Sequence, residues 1–106
     1  MRIRLSRTGG VAGVQLVSEV RSDLLSSEER QHLEQLVDDS GFFDLPSVLD
    51  APVEGPDRFE HAITIDSGSR VHSVRVAESA APPPLRTLIT WLTNAARRIA
   101  DRDPGV

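Results

Sequence analysis

The sequence predicts an α+β domain in the order β-β-α-β-β-α, with a four-stranded antiparallel sheet and two helices packed on one of its faces. Three observations carry this. Two pairs of short alternating apolar and polar runs each flank a glycine-containing turn, as hairpins do. Two longer stretches place apolar residues at helical spacing. At 106 residues, with 39% hydrophobic residues, the chain suffices for one compact core and not two. A sheet covered on one face by two helices buries every apolar stripe at once.

The first hairpin joins residues 2–6, with Ile3 and Leu5 on one face and Arg2 and Arg4 on the other, to residues 14–20, where Val14, Leu16 and Val20 share a face. Between them lies Arg7-Thr8-Gly9-Gly10-Val11-Ala12-Gly13, with three glycines in five positions. Such a loop tolerates positive φ and lets the backbone come close to another surface.

Ser26-Ser27-Glu28-Glu29 is a capping box, in which the Ser26 hydroxyl accepts from the Glu29 amide and the Glu29 carboxylate reaches back. Leu33, Leu36 and Val37 mark the buried face of the helix it opens, and Gly41 ends it. Phe42, Phe43 and Leu45 form an apolar knot, with both phenylalanines expected as core anchors. Residues 46–58 hold Pro46, Pro52, Gly55 and Pro56 without periodicity and read as a loop of functional length.

Phe59 to Asp66 reads as a strand with Phe59, His61, Ile63 and Ile65 on one face, and Arg70 to Glu78 as its return. A two-residue Ser67-Gly68 turn sets Ile63 opposite His72 and Phe59 opposite Val76. Pro82-Pro83-Pro84 opens the second helix, whose stripe is Leu85, Leu88, Ile89, Leu92, Ala96 and Ile99, with Trp91 at its edge, expected partly buried against the sheet. Residues 1–100 form the single domain, and 101–106 are expected to fray.

Composition excludes several function classes. A net charge of −4 opposes the phosphate attraction on which nucleic-acid binders rely, and an anionic membrane surface as well. The Gly10-Val11-Ala12-Gly13 spacing matches a GxxG phosphate clamp, but that clamp joins helices, whereas this one joins strands. No stretch has the length of a transmembrane span, and the N-terminus lacks the apolar core of a signal peptide, so a cytoplasmic location is expected. All twelve basic residues are arginine, a habit of GC-rich bacterial genomes.

Catalytic chemistry is equally poorly provided for. There is no cysteine, hence no disulfide and no thiolate. His32, His61 and His72 are scattered without metal-ligand spacing, so neither a metal nor a cofactor is expected. Ser67 and Ser69 fall in a hairpin turn rather than a nucleophile elbow. Glu28-Glu29 and Asp38-Asp39 are helix neighbours that point apart and cannot act as an acid/base couple. The chain is expected not to be an enzyme.

Taken together, several strings resemble one family. Ser6 to Gly13, Leu33 to Val37, Ser40-Gly41-Phe42-Phe43-Asp44-Leu45-Pro46, Asp57-Arg58-Phe59, Asp66 to His72, Glu78 and Pro84 to Ile89 are similar to the emfourin family. Its members are small bacterial inhibitors of thermolysin-like zinc metalloproteases, protealysin among them. Where the family pattern has a phenylalanine near position 11, this chain has Val11. The resemblance implies a thermolysin-like protease as partner, encoded nearby, and an inhibitor that fills its cleft with one or two loops. Two loops qualify. In the second, Asp50, Glu54 and Asp57 are carboxylates suited to a catalytic zinc or its water, and Val53 suits a hydrophobic subsite, with Gly55, Pro56 and Arg58 completing the segment. The first, with Arg7, Thr8, Gly9, Gly10 and Val11, is expected to make flanking contacts. The alternative is a non-inhibitory protein-interaction module or adaptor that uses the same loops.

Overall fold

A computed structural model of the chain describes residues 1–9, 14–49 and 59–102, of which the side chains of 14, 15 and 100–102 are left aside. The elements are β1 (Arg2–Gly9), β2 (Val14–Arg21), α1 (Ser27–Ser40), β3 (Val48–Leu49), β4 (Phe59–Asp66), β5 (Val71–Ala77) and α2 (Pro83–Arg102), with short 3-10 turns between them.

The α+β architecture holds, but the sheet differs from the sequence reading. It has five strands in the order β2-β1-β4-β5-β3 and is mixed rather than antiparallel. The additional strand, β3, runs parallel to β5, with Val48 opposite Arg75 and Leu49 opposite Val76. Two residues are too few to show alternation, so no period marks them in the sequence. What holds them is tertiary: the Arg75 amide donates to the Ser47 carbonyl at 2.8 Å, and His72 Nε2 donates to the Leu45 carbonyl at 2.7 Å.

The β4–β5 register also differs. Ile63 faces Val74 and Ile65 faces His72, while Val76 faces His61 instead of Phe59. The turn centres on Gly68 and Ser69, closed by the Ser67 amide donating to the Arg70 carbonyl at 2.9 Å, and the Asp66 carboxylate accepts from the Gly68 amide at 2.9 Å. The shift is two residues, one full side-chain period, so every residue keeps its face.

Helix α1 begins as the capping box dictates. The Glu29 amide donates to Ser26 Oγ at 3.2 Å, and the Ser26 amide donates to Glu29 Oε1 at 3.0 Å. It ends at Gly41, whose φ of +62° is the left-handed cap that glycine adopts without a Cβ penalty. The core lies between the sheet and both helices. Ile3, Leu33, Phe42, Ile63, Ile65, Val74, Leu85, Leu88 and Leu92 are all at or near zero exposure. Phe42 is a core anchor as expected, whereas Phe43 is only partly buried and sits edge-on to it at 5.7 Å. Trp91 is half-buried as expected, but beside His32 of α1, at 5.9 Å between rings, rather than against the sheet.

The opposite face of the sheet mixes polar cross-strand pairs with the exposed Val17, Val48 and Val71. Arg2 pairs with Glu19 at 2.9 Å, Arg75 with Glu60 at 2.8 Å, and Thr64 with Ser73 at 2.8 Å, each a cross-strand pair of the kind that suits a solvated sheet face. Among the described residues no helix is long and apolar enough to cross a membrane.

Candidate functional site

The register of β1 fixes where the two predicted loops arise. Gly9, the last residue of β1, lies opposite Val14 on β2 and opposite Phe59 on β4. The Gly-rich segment leaves the sheet at Gly9 and returns at Val14, and the second segment returns at Phe59 on the adjacent strand. It departs after Leu49 of β3, which is level with Val76 near the end of β5. Four strand ends that carry the two loops therefore share one end of the sheet. Gly10 and Val11 of the first loop, and Asp50, Val53, Glu54, Gly55, Pro56, Asp57 and Arg58 of the second, lie outside the described residues. Arg7, Thr8 and Gly9, expected in the first loop, are instead the last residues of β1, because they pair on both sides with β2 and β4. Gly9 has a φ of +128°, a backbone value that residues with a Cβ rarely take.

Beneath these strand ends the inner face of the sheet stops being apolar. Ile3 and Leu5 are buried, but the next inward residue of β1 is Arg7. Its strand neighbours are His61 on β4 and Leu16 on β2. Leu16 was expected to share the buried face with Val20, and it does point to that side. Yet it remains 60% exposed, because its neighbour there is a polar group and the core ends one step before it.

The Arg7 guanidinium lies over the Phe59 ring, 4.1 Å from its centroid. Arg7 Nη2 is 3.6 Å from Glu78 Oε1, and His61 Nε2 is 3.7 Å from the same oxygen. Both separations are too long for hydrogen bonds; the Arg7–Glu78 contact is an ion pair, whereas the His61–Glu78 contact becomes one only when the imidazole is protonated. Glu78 reaches them from the 3-10 turn after β5. One carboxylate oxygen thus faces a guanidinium from β1 and an imidazole from β4. A cleft of about 280 Å³ adjoins the cluster and is closed on its other side by Ile89, Thr90, Thr93 and Asn94 of α2.

His61 is 6% exposed. Burial, the largest influence, pushes its pKa below the ordinary 6.5; Glu78 opposes this and Arg7 adds to it. The imidazole is accordingly neutral at pH 7. Two nitrogens of the cluster, His61 Nδ1 and Arg7 Nε, are buried without a hydrogen-bond partner among the described residues. Each such group costs on the order of 1–3 kcal/mol, so this corner of the sheet is held together at the expense of stability.

The other histidines serve the fold. His72 joins β5 to Leu45 and packs edge-on against Phe42 at 5.6 Å, while His32 covers Trp91. Ser67 and Ser69 shape the β4–β5 turn, with Ser67 Oγ accepting from the Arg70 amide at 3.2 Å. Glu29 caps α1, and Asp39 accepts from Gln35 at 2.8 Å. Among the described residues no three His, Asp or Glu side chains converge to hold a metal. Sequence reasoning placed His61 on the correct face but did not foresee its partners. Glu78 was read as the end of the returning strand and as one residue of the family resemblance, and no local pattern ties it to Arg7, 71 positions away in the chain.

Comparison with known proteins completes the picture. The family model described as Emfourin matches residues 5–93. Among solved structures, emfourin (M4in) from Serratia proteamaculans, an M4 family peptidase inhibitor, is similar to this chain at 25% identity and a TM-score of 0.46, over 88% of this chain and 87% of that one. No curated protein matches.

Proposed function

This chain belongs to the Emfourin family, and on that premise we propose that it is a proteinaceous inhibitor of thermolysin-like zinc metalloproteases, obstructing the catalytic cleft with loops carried at one end of its sheet. Emfourin family members are inhibitors and not enzymes. The observation that carries the loop mechanism is the pairing of Gly9 with Phe59. It roots both candidate loops on neighbouring strands, so a single approach of this end brings both to one partner surface.

The chemistry of the two segments supports a division of roles. The segment from Asp50 to Arg58 supplies the carboxylates Asp50, Glu54 and Asp57 as oxygen ligands for the partner's zinc, and Val53 for an apolar subsite. The segment that leaves the sheet at Gly9, with Gly10 and Val11, supplies flanking contact through backbone with few side chains, while Arg7 and Thr8 belong to the strand that carries it. A loop rooted at both ends loses less conformational freedom on binding than a free one, which favours affinity.

The test is the purified chain against thermolysin-like proteases with a fluorogenic peptide. Hydrolysis is expected to fall with increasing chain concentration, in competition with substrate. Full protease activity at high molar excess, including that of any such protease encoded in the same genome, overturns the reading.

A further inference from the structure

We propose that Glu78 is a positioning residue of the inhibitory end: its carboxylate, shared between Arg7 and His61, ties the strand that launches the first loop to the strand that receives the second. This rests on the inhibitor reading above and adds to it a residue outside both loops.

The geometry carries the inference. Arg7 lies two residues before the Gly9 root, and His61 two residues after the Phe59 root. Both point to the helix side of the sheet, and both meet Glu78 Oε1, at 3.6 Å and 3.7 Å. Arg7 also covers the ring of Phe59, so the guanidinium that Glu78 draws inward is the group that packs on the second loop's root. Without the carboxylate, a guanidinium and a buried imidazole face each other with nothing between them to offset the cation. Arg7 then gains by turning out to water, and Phe59 loses its cover.

Among the described residues, two charged groups act on His61. β1 presents Arg7, and the turn after β5 presents Glu78. Strand β5 sets the apolar Val76 opposite, and α2 lines the adjoining cleft with the uncharged Thr90, Thr93 and Asn94. Among the described residues Glu78 is therefore the one anion of the cluster.

The experiment uses the full-length chain and Glu78→Gln, with Glu28→Gln as a charge-matched control on the exposed start of α1. Glu78 is half exposed, so the variant is expected to fold with an unchanged circular dichroism spectrum. Its inhibition constant against a thermolysin-like protease is expected to rise about fivefold, the size an exposed ion pair allows. By NMR, the His61 imidazole is expected to titrate at lower pH in Glu78→Gln than in the wild type, because an influence favouring its charged form is gone. Amide exchange at Gly9 and Phe59 is expected to quicken. The control should change none of the three.

Equal inhibition by wild type and Glu78→Gln overturns the positioning role, whether or not the His61 titration moves. Weaker inhibition with an unmoved titration and unchanged exchange also overturns it, since Glu78 would then be a direct contact. If the wild type inhibits no such protease, the inhibitor reading fails by itself. The titration and the exchange at Gly9 and Phe59 then still decide whether the tie exists.

Discussion

His72 and Leu45, 27 positions apart, are joined by a 2.7 Å hydrogen bond from the imidazole Nε2 to the backbone carbonyl. This bond brings the chain leaving α1 alongside β5 and so permits the parallel pairing of β3. Because a carbonyl only accepts, the bond fixes the proton on Nε2.

His72→Leu should therefore leave the Leu45 carbonyl without its partner and remove the edge contact with Phe42. A loss of about 1–2 kcal/mol of folding stability is expected. Urea unfolding with an unchanged m-value checks it. A midpoint equal to that of the wild type would show the bond to be energetically idle.

Gly41→Ala isolates backbone conformation from packing. A Cβ added at Gly41 meets nothing within 4 Å, yet φ is +62°. The cost is thus conformational alone, about 1–2 kcal/mol. Thermal unfolding should show a lower midpoint, with the helical signal below the transition retained.

Folding stability should fall on mild acidification through His61. Its folded pKa lies below the unfolded value of 6.5, so the unfolded chain binds the proton first. The contribution of the neutral imidazole is complete well above 6.5. It declines as the pH drops below that value towards the lower folded pKa. Denaturant midpoints measured from about pH 8 to pH 5 should show the decline in the wild type. His61→Gln, which cannot titrate, should have a shallower profile, and identical profiles would remove His61 as the cause.

Replacing Glu54-Gly55-Pro56 with three alanines should weaken inhibition about tenfold or more, if this segment enters the protease cleft. Circular dichroism checks that the fold is kept. Unchanged inhibition with an intact fold would rule out cleft entry through this loop.

Much of the fold was legible because its signals are local. The Ser26–Glu29 capping box, the Gly41 stop, the Ile3/Leu5 alternation and the 3-4 spacing of Leu85, Leu88 and Leu92 each rest on residues within a turn or two of one another. The register of β4 against β5 was less secure, since Ser67-Gly68 and Gly68-Ser69 are both plausible turn centres and faces survive a two-residue slip. β3 was illegible, because a two-residue strand has no pattern apart from the β5 edge it joins.

The sequence by itself determined the α+β class, both hairpins, both helices and their buried faces, since hydrophobic period and capping chemistry act over short distances. It also determined the absence of cysteine chemistry and, through strings spread along the chain, the resemblance to one family. Tertiary structure alone decided that Gly9 and Phe59 stand side by side, and that Arg7, His61 and Glu78 meet at one oxygen. These groups lie on three segments far apart in the chain, and charge and burial become specific only once a folded sheet sets the distance between them.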